Sequence, residues 1–184
     1  MLFRSATGAD VTAPSAAAAE PAFAQLERAV HDGAIDAFTG NDYVSDLATG
    51  NLGAAFAWSG DVAQISRDNP DVRFVLPESG GLIWSDNFLI PAGAHHRAAA
   101  TRWIDFFYEP EEAARLTASV QYISPVQGVA DELTKLGGAA ARLVDDPLVV
   151  PTPEFLASVA TFGILTDADA DAMDERFSKL AGAA

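Results

Sequence analysis

Apolar residues recur along this chain with two periods, and each change of period marks an element. From Pro21 the spacing is helical, with Phe23, Leu26 and Val30 at i, i+3 and i+7 and a proline that a first turn tolerates. Asp32-Gly33 ends that segment. Ahead of it, residues 1–19 are small and weakly patterned, which predicts a frayed lead-in, disordered over residues 1–11. Asn41 or Asp42 offers an N-cap for a second helix through Leu47, closed by Gly50.

The pattern then turns continuous. Residues 52–58 form an unbroken apolar run of strand length, as a strand covered on both faces requires. Residues 62–68 read as a helix stopped by Pro70, and residues 72–76 read as a second buried strand. Strand, turn, helix and strand within about 25 residues make a βαβ unit, so the expected fold class is α/β with a parallel sheet and a right-handed crossover.

Gly80-Gly81 opens the next hydrophobic stretch and Pro91 closes it. Beyond it, residues 96–108 return to helical spacing with Ala99, Trp103, Phe106 and Phe107 on one side, and residues 111–119 add a helix with Ala114 and Leu116. Tyr122-Ile123-Ser124-Pro125 reads as a short extended link. The remainder is broken by turns until a last amphipathic helix over residues 169–180, and no internal repeat of fixed period is present.

Composition narrows the chemistry. The 184 residues suffice for one domain or two small lobes, and 49% hydrophobic with 20% charged is the ordinary globular range. Eleven basic against 26 acidic residues give a formal charge of −15, which repels nucleic acid and anionic membrane and favours cationic ligands; a solvated acidic face accounts for most of these carboxylates. No apolar run approaches the roughly 20 residues of a spanning helix, so the chain reads as soluble. The first ten residues lack the apolar core of a secretion signal. With no cysteine, disulfides, thiol chemistry and cysteine-held metal are excluded. His95-His96 reads as the head of a surface helix rather than a metal site, and the glycine pairs fit no phosphate or dinucleotide loop. No cofactor is expected.

Two pairings of a ring and an acid carry the candidate site. Trp58 and Asp61 are three apart across a strand-to-helix turn, so they share a side if the helix starts near Ser59, and that turn lies where open α/β sheets place ligands. Trp84 and Asp86 project from one face if their stretch is extended. A ring face beside a carboxylate suits an organic cation, through the ring quadrupole and a charge-assisted hydrogen bond. The plainer alternatives stay open: Trp84 as core, Asp86 as a turn cap, the pairing as coincidence among three tryptophans, or Asp61 and Asp86 as the carboxylates of a hydrolase.

Phe56-Ala57-Trp58-Ser59-Gly60-Asp61-Val62, Asp68-Asn69-Pro70-Asp71-Val72, Glu78-Ser79-Gly80-Gly81, Trp84-Ser85-Asp86-Asn87, Ile90-Pro91 and Tyr122-Ile123-Ser124-Pro125 stand in an order and spacing that resemble the periplasmic polyamine-binding proteins of spermidine/putrescine transporters. The resemblance runs from about Thr12 onward and corresponds to about the C-terminal half of a family member. It implies a type II periplasmic-binding-protein-like α/β fold with the N-terminal lobe missing. Residues 12–85 would belong to the second lobe, 86–108 would return to the first, and 109–184 would return to the second. It also implies a linear polyamine, putrescine or spermidine, bound between lobes without catalysis. Docking on ABC permease subunits, an extracytoplasmic location, and contact with the membrane only through the permease follow from it. Trp58 and Asp61, Trp84 and Asp86, and Tyr122 match the family's aromatic and acidic contacts. Gly163 stands where some relatives carry a glutamine contact, so that contact is absent or moved here.

Overall fold

A computed structural model describes residues 7, 8 and 10–182. Of the expected lead-in, residues 1–6 and 9 lie outside the described residues; Asp10 accepts the amide and hydroxyl of Thr12 at 2.8 and 2.7 Å, a local turn. The chain divides into two compact units, one of Met1–Asp42, Val75–Trp84 and Leu156–Ala184, the other of Tyr43–Phe74 and Ser85–Phe155.

The first unit is built on α1 (Ala16–His31) and the last helix, α9 (Asp167–Ala181). Residues 16–19 were expected to fray, yet they are helical: alanine carries the highest intrinsic helix propensity, and the Ser15 hydroxyl caps the end by accepting the Ala18 amide at 3.2 Å. Pro21 consequently sits inside α1 rather than in its first turn. The two helices bury Ala19, Phe23 and Leu180, with Leu26, Val30, Phe38 and Met173 packed around them. Arg176 lies 5.6 Å over the Phe23 ring and pairs with Glu20 and Glu27.

In the same unit, β1 (Gly81–Ile83) pairs in parallel with β2 (Val159–Thr161), Leu82 standing opposite Ala160. Gly80 makes that approach possible: its φ is +87°, and a β-carbon there would lie 2.7 Å from the Ser158 carbonyl oxygen.

The second unit holds α2 (Tyr43–Thr49), α3 (Ser59–Asp68), α4 (Arg97–Tyr108), α5 (Pro110–Val120), α6 (Val129–Leu136) and α7 (Gly138–Arg142). A short α8 (Pro153–Ala157) precedes β2. Tyr43, Leu47 and Ile65 join α2 to α3, with Leu52, Ala57 and Val72 alongside. Ala113, Ala114, Val129 and Leu133 join α5 to α6, while Leu116 turns outward. α6 falls in a stretch expected to be turns; Val129, Leu133 and Leu136 are at helical spacing, but Gly128 and Gly137 at either end read as loop punctuation.

The expected βαβ unit is realised only in part. α3 forms, but residues 52–58 and 72–76 join no sheet, and Phe56 and Val75 are 63% and 76% exposed. A strand needs at least one neighbour to pair its backbone groups, and among the described residues no strand pairs with either run. α4 likewise buries none of its residues; Phe107 meets Trp103 and Phe106 edge to face, and Phe88 packs against Trp103 and Phe107, at centroid distances of 4.6 to 6.0 Å.

Candidate cation site

Polar groups of the second unit converge on Asp61, in the first turn of α3. Trp58 is the N-cap, its backbone extended (φ −82°, ψ 138°), and the helix begins at Ser59, so Asp61 occupies its third position. A carboxylate there faces the first amides and the positive end of the helix dipole. Asp61 Oδ2 accepts a hydrogen bond from the Tyr43 hydroxyl at 2.5 Å, and Oδ1 accepts one from the Tyr122 hydroxyl at 3.2 Å. The Tyr43 oxygen in turn accepts the Trp58 backbone N–H at 3.1 Å.

Each tyrosine arrives by a definable route. Tyr43 is the first residue of α2, and its ring is part of the α2–α3 core. Tyr122 follows the end of α5, where Gln121 takes a left-handed conformation (φ 56°, ψ 38°) that turns the chain out of the helix. Its ring then lies against the backbone of α3: a β-carbon on Gly60 would come within 2.3 to 2.7 Å of ring atoms. Glycine at 60 is therefore a condition for Tyr122 to reach Asp61.

Burial, with the Asp61 hydrogen bond second, pushes the Tyr43 phenol up to about 12; burial, then the Asp61 charge, does the same for Tyr122. Both phenols are thus protonated donors at neutral pH. The Asp86 charge acts on Tyr122 in the same direction, which sets Asp86 within electrostatic range of the cluster.

Of the five residues expected from sequence, the structure joins Asp61 and Tyr122 directly and brings in Trp58 through its backbone N–H on Tyr43, with Asp86 exposed nearby in the same unit. Trp84 follows β1 directly and belongs to the first unit; β1 ends at Ile83, so no strand ladder fixes an alternation through Trp84 and Asp86. Trp58 and Trp84 are 43% and 40% exposed, so neither ring is core. Tyr43 was missed. In the sequence it reads as an apolar helix position beside Leu47, and the available signal was that a buried phenol needs a partner for its hydroxyl. His96 is the N-cap of α4, and both neighbouring histidines are exposed.

A carboxylate that accepts hydrogen bonds from two phenols stands three residues after a polarisable ring. That combination serves to hold a cation.

Residues 2–152 match the family of bacterial extracellular solute-binding proteins, and the chain belongs to that family. Membership fits an α/β periplasmic-binding-protein fold. Among its relatives, the putrescine-binding periplasmic protein SpuD of Pseudomonas aeruginosa is 30% identical over 149 residues, 78% of this chain and 39% of that protein. The putrescine-binding periplasmic protein PotF of Escherichia coli is 26% identical over 133 residues, 69% and 34% of the two chains. The spermidine/putrescine-binding periplasmic protein of Escherichia coli is 24% identical over 106 residues, 58% and 30%. The matched region thus spans between 30% and 39% of the length of these three relatives. By their names they are binding proteins rather than enzymes.

Proposed function

We propose that this chain contributes the ligand-binding surface of a periplasmic polyamine-binding subunit that delivers putrescine or spermidine to an ABC permease. The observation that carries the reading is the Asp61 carboxylate, fixed by two phenols and three residues after the half-exposed Trp58. An alkylammonium group can take hydrogen bonds to Asp61 while its charge meets the ring face. Asp86 serves a second ammonium group and Trp84 a second ring, in a cleft that closes between two lobes. In this reading residues 12–85 and 109–184 lie mainly in one lobe and residues 86–108 in the other. The solute relationship of the family and the names of the relatives support the same ligand class.

Thermal shift with putrescine, spermidine, arginine and neutral sugars tests the reading on the full natural gene product, since a true ligand stabilises by mass action. The expected outcome is stabilisation by the polyamines alone; stabilisation by arginine or a sugar instead assigns the subunit to another solute. Asp86→Ala should weaken polyamine binding by about 2–5 kcal/mol, because an ammonium is left desolvated and unpaired. Calorimetry should read this as roughly 30-fold to several thousand-fold in affinity.

A further inference from the structure

The Tyr43 hydroxyl has no freedom left. It donates to Asp61 Oδ2 and accepts the backbone N–H of Trp58, so one phenol oxygen couples the acid to the backbone of the ring that precedes it. Its own ring is held in the α2–α3 core, with Tyr43 only 6% exposed. Tyr122 takes the other carboxylate oxygen from a different element. A carboxylate has about four acceptor directions, so two phenols leave about two, and these point where the phenols do not.

We propose that Tyr43 is a positioning residue that makes Asp61 selective for N–H-bearing ammonium groups. The inference rests on the reading of Asp61 as a cation receptor. With both oxygens tied, the carboxylate cannot rotate to follow a ligand, and the remaining acceptor directions select a primary ammonium that can donate into them. A trimethylammonium group has the same charge and the same attraction to the Trp58 ring but nothing to donate. Removing the Tyr43 hydroxyl frees Oδ2 and the Trp58 N–H while leaving the ring in the core.

The test compares putrescine with its bis-trimethylammonium analogue in the full natural gene product, using wild type, Tyr43→Phe, Asp61→Asn and the double variant. Tyr43→Phe should weaken putrescine about tenfold, change the analogue less than about twofold, and have little further effect in the Asp61→Asn background. Equal losses for both ligands, or an undiminished Tyr43→Phe effect in the double variant, would overturn the proposal. A second measurement needs no ligand. Ultraviolet absorbance of folded protein at about pH 11 should show more tyrosinate in Asp61→Asn than in wild type, since burial still raises both phenols but the Asp61 charge that adds to it is gone. Identical tyrosinate in the two proteins shows that the phenols are not held by Asp61, and the inference falls. Failure of wild type to bind putrescine while the absorbance differs refutes the polyamine reading and leaves the phenol–carboxylate clamp standing.

Discussion

At the scale of single residues, the site depends on what is absent at position 60 as much as on what is present at 61. Tyr122 reaches Asp61 across the backbone of Gly60, at a separation that no β-carbon tolerates. Gly60→Ala should therefore push the Tyr122 ring aside and break its bond to Asp61, although alanine is the better helix former by about 1 kcal/mol. The expected outcome is a protein of near-normal melting temperature with polyamine affinity reduced about tenfold, measured by calorimetry. Unchanged affinity would mean that Tyr122 contributes nothing through Asp61. Sequence made part of this legible. The spacing of Trp58 and Asp61 pointed to the start of α3, which does begin at Ser59 between them. The partnership of Asp61 with Tyr43 and Tyr122 was not legible, since those contacts span 18 and 61 positions and depend on how α2, α3 and α5 pack.

At the scale of elements, helix ends decide more than helix interiors. Thr166 caps α9 by accepting the Asp169 amide at 3.1 Å and donates back to the Asp169 carboxylate at 2.7 Å. The other carboxylate oxygen accepts the amide of Ala16, the first residue of α1, at 2.8 Å. The Asp169 carboxylate thus links the cap of α9 to the first amide of α1. These contacts, the Ala16 amide first and Thr166 second, hold the Asp169 carboxyl below its ordinary value of 3.8. Because its folded value is depressed, the stabilisation is present above pH 3.8 and is lost as pH falls through the lower folded value. Asp169→Ala should accordingly lower the melting temperature at pH 7, and the gap from wild type should narrow progressively below about pH 4. A gap that stays constant down to pH 2 would show that the charge is immaterial. The N-terminal start of α1 was misjudged from sequence because an alanine run carries no periodic signal; only the Ser15 cap marks it.

At the scale of the whole chain, the charge of −15 forms a background that a local site cannot supply. A dication approaching an acidic protein is steered, and the steering weakens as salt shortens the screening length from about 30 Å at 0.01 M to about 3 Å at 1 M. The association rate of putrescine, followed by tryptophan fluorescence, should fall several-fold over that range while dissociation changes less. A salt-independent association rate would confine the role of charge to Asp61 and its neighbours. The apolar runs at 52–58 and 72–76 were read as strands and neither carries a ladder here, because a strand is a property of its neighbours; the α/β class rests on the family membership instead.

The contact between Gly60 and Tyr122 also constrains how such a site can change by descent. A ring at 122 and a bare α-carbon at 60 fill one volume between them, so a side chain at 60 takes the place of the ring. A lineage that acquires a side chain at 60 displaces the ring at 122 and loses one of the two phenols on Asp61. The two positions should vary together among related chains: glycine with tyrosine, or a larger residue with a smaller one.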